Sequence, residues 1–391
     1  MRLLLYTGKG GVGKTTTAAA TAVCAARRGL RTLVASTDAA HSLGDVLAIR
    51  LGAEPQQVED RLHAVEIDAR AEVERHWGRI RDYLVAVLRY QGIEDMVAEE
   101  LALLPGAEEI TTLLGAEGWL RSGDYDLVVL DCAPTGATLR MVTLPDVAHG
   151  ALRILLRVQG ALAAVVTPAA RALVPVPLPD RHVFQDADRL LYRRLRRLRR
   201  RLLDPSTSVR LVVTPERMVI DEARRTWTDL SLFELPCDAV VMNRLLPEAA
   251  VSEAFFADWG RLQDERLREV AALFAPLPVL PAPLQDDEVI GLERLAAHGE
   301  QLFAEHDPAA VLSPPSQAVF ERDDDGYALC LPLPGADPAL LDVAKVDDEL
   351  LVRAGPLRRS LRLPRRIAPL DLAAARLDGD QLRVRFARGA D

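Results

Sequence analysis

Residues 2–29 read RLLLYT, then GKGGVGKTTT, then AAATAVCAARRG: an apolar run, a glycine-rich loop and an alanine-rich helical run. Gly8, Gly10, Gly11 and Gly13 fall within six residues and free the backbone to turn several N–H groups toward one anion. A helix N-terminus immediately after them adds favourable potential at the same point. The spacing fits GxxxxGK[ST] in its required strand, loop, helix setting, so Gly8, Lys9, Gly10, Gly11, Val12, Gly13, Lys14, Thr15 and Thr16 read as a phosphate loop. Such a loop must sit at the end of a buried strand, and this restricts the fold more than any other stretch of the sequence.

The loop is also where the lysines are. The chain has 48 Lys plus Arg, yet Lys9, Lys14 and Lys345 are its only lysines. Lys14 can follow the curve of the loop as a compact point charge on β- and γ-phosphates, where a planar guanidinium would need space for its fork. Thr15 would offer its hydroxyl to Mg²⁺. An ordinary phosphate loop has no requirement for lysine at position 9.

Apolar, β-rich runs recur at RTLVAST, YDLVVLDC, VRLVVTPE and CDAVVMNRL, separated by stretches with helical spacing. Continuous hydrophobicity marks strands covered on both faces, which predicts an α/β fold with a mostly parallel sheet. Residues 69–120 and 147–203 lack convincing strands and read as helical insertions beside that sheet. In the second insertion, RLLYRRLRRLRRRLLDP spaces Leu191, Leu195, Leu198 and Leu202 as one stripe on an arginine-covered helix. It reads either as a solvated helix docked by its leucines or as a basic contact for an acidic partner. Upstream, ALRILLRVQGALAAVVTPAARALVPVPLP reads as core or as the lining of a groove. SPPSQAV then reads as a linker, and alternating strands follow between Gly, Pro and Asp turns. The expected organisation is an α/β domain over 1–310, a linker over 311–319 and a small all-β sandwich over 320–391.

A net charge of −9 and a pI near 5.4 argue against a general nucleic-acid binder. Cys24, Cys132, Cys237 and Cys330 lie far apart and form no CxxC pair, so neither a disulfide framework nor a zinc ribbon is readable. The N-terminal apolar run is too short for a signal peptide, and Arg or Pro interrupts every long apolar stretch, so no transmembrane segment and a cytoplasmic location are expected.

KGGVGKTT resembles the deviant phosphate loop of the family containing MinD, the nitrogenase iron protein and the arsenite-pump and tail-anchored-protein-targeting ATPases. STDAAHSLGD and DCAPTGATLR resemble the two switch segments of the last two, DPAHNLSD and DTAPTGHTLR. The resemblance implies ATP and Mg²⁺ as cofactors, a P-loop NTPase fold, and a homodimer in which Lys9 reaches the partner's nucleotide. It makes Asp38, Lys9 and Lys14 the catalytic candidates, Asp38 handling the attacking water. Asp131 would hold Mg²⁺ through water. TPERM and VMNRL place Glu216 and Asn243 near the nucleotide, with Asn243 reading the adenine edge; Pro283 and Leu284 would cover the base. Ala39 and Ser42 stand where the family has Pro and Asn, Ala137 where it has His, and Cys132 where threonine is usual. RLLPEAAVSEAFFADWG has no cysteine, so no zinc clasp between subunits is expected.

Residues 320–388 resemble the α-crystallin domain of small heat-shock proteins through LPG, DELLVRAG, RRSLRLP and LDGDQLRVRF. Together these resemblances imply a cytoplasmic chaperone or targeting ATPase that captures and releases a hydrophobic protein client or membrane-protein segment. Two alternatives stay open. An arsenite or anion efflux pump subunit wants converging thiolates, and a positioning ATPase of the MinD or ParA type wants a terminal amphipathic helix, where this chain ends in a β pattern.

Overall fold

The computed structural model describes residues 1–37, 42–68, 107–132, 193–304, 306–323 and 326–388, with positions 82, 85, 89 and 94. Asp38 and most of both insertions lie outside these residues. Eight strands form the main sheet in the order β3-β4-β2-β5-β1-β6-β7-β8: β1 Arg2–Thr7, β2 Thr32–Ser36, β3 Gln56–Glu59, β4 Leu62–Glu66, β5 Leu127–Asp131, β6 Thr207–Val213, β7 Cys237–Leu245 and β8 Val279–Pro283. All neighbours pair in parallel except β3 with β4. The five strands expected from apolar runs are present. β3, β4 and β8 were not expected: β3 is a half-exposed edge, and β8 carries Pro281 and Pro283, which only an edge strand tolerates.

The helices are α1 Lys14–Arg27, α2 Ser42–Leu47, α3 Ala107–Ser122, α4 Leu195–Leu202, α5 Arg217–Leu232, α6 Glu248–Val251, α7 Ala257–Leu273 and α8 Leu292–Phe303. Helix α1 is buried along most of its length because its alanines let it lie close to the sheet. A Cβ at Gly299 of α8 would come within 2.8 Å of the Ala20 carbonyl, so the α1–α8 crossing also depends on small residues. In α4, Leu198 and Leu202 are buried as the leucine stripe predicts; Leu191 and the side chain of Leu195 lie outside the described residues.

Under the start of the sheet, two guanidinium groups share one carboxylate. Asp238, fully buried, accepts from Arg2 at 2.8 Å and from Arg210 at 3.1 Å. Other donors of the pair go to Ser208 Oγ, the Tyr6 hydroxyl and the carbonyls of Pro308, Ala309 and Ala310, while Arg2 Nη1 is buried without a partner among the described residues. The Leu312 amide donates back to Asp238. Burial draws Arg2 down to about 10, led by desolvation, yet it stays protonated at neutral pH.

The C-terminal strands are β9 Val319–Asp323, β10 Gly326–Pro332, β11 Leu341–Val346, β12 Glu349–Ala354, β13 Leu357–Arg362, β14 Asp371–Asp378 and β15 Gln381–Ala387. They form two antiparallel sheets, β14-β15-β10-β9 and β11-β12-β13. Alternation is clear in β15, where Leu382, Val384 and Phe386 point inward. This lobe packs on the far end of α5. Arg359 donates to the Leu232 carbonyl and to Glu234, each at 2.5 Å, and Thr228 donates to the Pro334 carbonyl at 2.5 Å. Ala318 N reaches the Glu234 carboxylate at 3.3 Å. The stretch expected as a linker is thus tied to the larger lobe through Leu312 and Ala318. Buried apolar residues of both lobes join in one cluster.

Replacing Asp238 by Ala leaves two buried guanidinium groups without their counter-charge, and should lower unfolding free energy by about 3–5 kcal/mol in urea titration; a loss below about 1 kcal/mol contradicts the account. A second prediction concerns Asp229, beside Thr228 on α5. Burial pushes its carboxyl up to about 6, against the opposing pull of Arg225. The folded chain then keeps a proton that the unfolded chain has lost, so stability falls as pH rises from about 4 to 6. Asp229→Asn should flatten that decline, read from unfolding midpoints at pH 4.5 and 7.5; an unchanged pH slope contradicts it.

Candidate functional site

Strand β1 lies between β5 and β6, so the loop that leaves it emerges between the ends of those two neighbours. Gly8 has φ 152°, and a Cβ there would meet the Val212 carbonyl at 2.4 Å. Gly13 has φ 93°, and its Cβ would meet Asn243 Nδ2 at 2.3 Å. A Cβ on Gly10 or Gly11 would touch nothing within 4 Å. The outer glycines therefore let the loop pack against β6 and β7, and the inner two leave its concave side open.

The two lysines separate. Lys14, only 7% exposed, folds its ammonium back to donate to the Lys9 carbonyl at 3.2 Å, across the mouth of the loop. The Lys9 side chain is half-buried, and among the described residues no carboxylate pairs with it. Thr15, in the first turn of α1, donates through Oγ1 to Asp131 Oδ2 at 2.7 Å and lies 3.2 Å from Ser42 Oγ. Asp131, fully buried at the end of β5, also accepts from Ser36 Oγ at 3.4 Å, and its carbonyl accepts from Thr37 Oγ1 at 3.1 Å. Thr15, Ser36, Ser42 and Asp131 thus gather hydroxyls around one carboxylate beside the loop. Ser36, Thr37 and Ser42 were not site candidates from sequence, although all belong to the stretch STDAAHS that begins at the last residue of β2.

Asn243, near the end of β7, donates from Nδ2 to the Val12 carbonyl at 2.9 Å and accepts the Arg244 amide at 2.9 Å. Its amide braces the loop and retains one N–H and one oxygen lone pair. Leu284 N donates to the Leu245 carbonyl at 2.7 Å, bringing Pro283 and the exposed Leu284 to the same corner. Glu216 is exposed and precedes α5, where its carbonyl accepts from Val219 and Ile220. The structure therefore brings residues 8–16, Asp131, Asn243, Pro283 and Leu284 to one end of the sheet. Asp38 follows Thr37 but lies outside the described residues.

These residues fit a nucleotide with magnesium: a backbone cradle closed by glycines, a lysine over its mouth, and a hydroxyl–carboxylate pair at the helix start. Among the described residues no cluster of three or more His, Cys, Asp or Glu side chains could hold a metal by itself. Thr15 and Asp131 would serve magnesium together with the nucleotide, and the loop amides with Lys14 would hold the phosphates.

Residues 1–304 match the family described as anion-transporting ATPase, and residues 324–386 match the HSP20-like domain found in ArsA. The chain belongs to the anion-transporting ATPase family. It is 32% identical to "Putative arsenical pump-driving ATPase 1" of Aquifex aeolicus, covering 98% of this chain and 99% of that protein. It is 34% identical to "Putative arsenical pump-driving ATPase" of Chlorobaculum tepidum, covering 99% and 96%. It is also 27% identical to the "ATPase ASNA1 homolog" of Trypanosoma cruzi over 77% of this chain and 90% of that one. As a family member it is an ATPase, and the C-terminal antiparallel lobe is its HSP20-like domain. Among the described residues, no helix is long and apolar enough to cross a membrane.

In this ATPase Gly13→Ala should abolish nucleotide binding, because the new Cβ displaces the Asn243 brace at a left-handed position. Asn243→Ala should weaken binding about tenfold by leaving the Val12 carbonyl unmet. Fluorescent-nucleotide titration checks both; native affinity in either variant contradicts the bracing role.

Proposed function

We propose that this ATPase is a homodimeric switch that couples ATP binding and hydrolysis to capture and release of hydrophobic protein segments in the cytoplasm. The observation that carries the proposal is the division of labour between the lysines. Lys14 is committed inward, while Lys9 sits at the loop mouth without a carboxylate partner among the described residues. A cation left uncommitted beside a phosphate site is suited to a charge arriving from outside the subunit.

ATP supplies the γ-phosphoryl group that passes to water, and Mg²⁺ offsets its charge. The loop amides and Lys14 orient the phosphates, and Thr15 with Asp131 positions the metal. Asp38 orients and accepts a proton from the attacking water. Glu216, Asn243, Pro283 and Leu284 form the nucleoside side. In-line positioning and charge neutralisation are the main demands of phosphoryl transfer. The client reading draws on the apolar stretch 151–179, and the lobes are taken as 1–310 and 320–391, joined through 311–319.

A second reading, the driving subunit of an arsenical pump, is favoured by the designations of the Aquifex aeolicus and Chlorobaculum tepidum relatives. The thiols speak against it. All four cysteines are buried, and burial raises the pKa of Cys24 and Cys237 away from thiolate formation.

Lys9→Ala should keep nucleotide affinity, lose ATP-dependent dimerisation in light scattering, and hydrolyse ATP about a hundredfold more slowly. Asp38→Asn should trap an ATP-bound dimer that retains a transmembrane peptide. A Lys9→Ala protein that hydrolyses ATP at the native rate as a monomer overturns the switch. A dimer that ignores the peptide but is stimulated by arsenite replaces the client reading with the pump.

A further inference from the structure

The arginine-rich helix is not used by the nucleotide site. Helix α3 leads into the start of β5 and α4 into the start of β6, so both end at the edge of the sheet opposite the phosphate loop. Between them lies a cavity of about 320 Å³. Arg121, Arg197, Arg200 and Arg201 line it, with Leu120 and Leu198 as its apolar part and Glu117 and Asp204 as the carboxylates among the described residues.

The charges there do not balance. Among the described residues four guanidinium groups line it against two carboxylates, an excess of two positive charges. Glu117 is further shared with Arg194, which lies outside the lining, accepting from it at 2.6 Å and from Arg197 at 2.9 Å. Asp204 accepts from the Ser206 amide and hydroxyl at 2.8 and 2.5 Å and lies 3.6 Å from Arg201. Arg201 is itself anchored, donating to Ser206 Oγ at 2.9 Å and to the Met1 carbonyl at 2.6 Å. Arg121 and Arg200 have no carboxylate partner among the described residues. Arg121 and Arg200 are exposed at its rim, but they converge from two helices on a concave, partly apolar wall, where several guanidinium groups can act on one anion together. Guanidinium forks match phosphate oxygens, and the volume is at the lower end of the ~300–1,000 Å³ typical of small-molecule pockets.

We infer that the cavity between α3 and α4 is a second anion site, separate from the phosphate loop, for a small phosphorylated metabolite carrying about two negative charges. Arg121 and Arg200 supply the uncommitted forks, and Arg197 and Arg201, held by Glu117 and Ser206, form the fixed wall. Through α4 and β6 the site adjoins the strand that flanks β1, so occupancy there can bias the nucleotide end of the sheet.

The test is calorimetric titration of inorganic pyrophosphate into ADP-saturated protein in magnesium-free buffer. The native chain should bind one equivalent, with affinity falling as salt rises. The double variant R121Q/R200Q should lose at least tenfold in affinity while binding ADP as the native chain does, and Lys14→Ala should keep the pyrophosphate site. No binding to the ADP-loaded chain, native affinity in R121Q/R200Q, or loss of the site in Lys14→Ala would each overturn the inference.

Discussion

A single carboxylate holds the base of this molecule together. Asp238 lies in an apolar interior between Arg2 and Arg210, so the group as a whole carries a surplus positive charge in a medium that tolerates charge poorly. That surplus is offset by dipoles: the Tyr6 hydroxyl and the carbonyls of residues 308–310. Strands β1, β6 and β7 each contribute to the group, and all three also carry the nucleotide corner at their other ends. The chain beyond α8 is required by the same balance, because without its carbonyls several guanidinium donors would be buried unmet.

At the opposite end, rigidity comes from close contact. Gly8 and Gly13 allow the loop to approach backbone and side chain more closely than any Cβ permits, and Asn243 converts that approach into a hydrogen bond. The loop is thereby set before a ligand arrives, which lowers the ordering cost of binding. Lys9 stands apart from this network. Among the described residues it has no carboxylate partner, which suits the proposed role of a charge shared between subunits.

Helix α5 connects two functions. It starts just past the end of β6, near the phosphate loop, and its far end is gripped by the HSP20-like domain through Arg359, Thr228 and Glu234. The continuous apolar cluster makes that domain part of the ATPase body. A shift at one end of α5 therefore meets resistance at the other. The basic cavity between α3 and α4 adds another point of leverage, on the N-terminal side of β5 and β6.

Much of this was legible in the residues. The strands RLLLYT, RTLVAST, YDLVVLDC, VRLVVTPE and CDAVVMNRL announce themselves because strands covered on both faces must be apolar throughout, and the phosphate loop because its glycines and lysine serve chemistry no other residues supply. β3 and β8 were hidden, since edge strands can be short, polar or proline-bearing, and β4 because its five residues LHAVE carry His63 and Glu66 rather than an unbroken apolar run. The stretch 311–319 looks like a linker because Ser and Pro carry no sign of partners far away in the chain. Local pattern thus determined the fold class and the all-β lobe, and pointed to the glycine-rich loop after β1 as the candidate phosphate loop. Tertiary structure alone decided that Asn243 braces the loop, that Asp238 serves two arginines and the chain after α8, and that Arg121 meets Arg200. Each depends on residues from 28 to more than 200 positions apart, and sequence spacing carries no information about contacts that only packing creates.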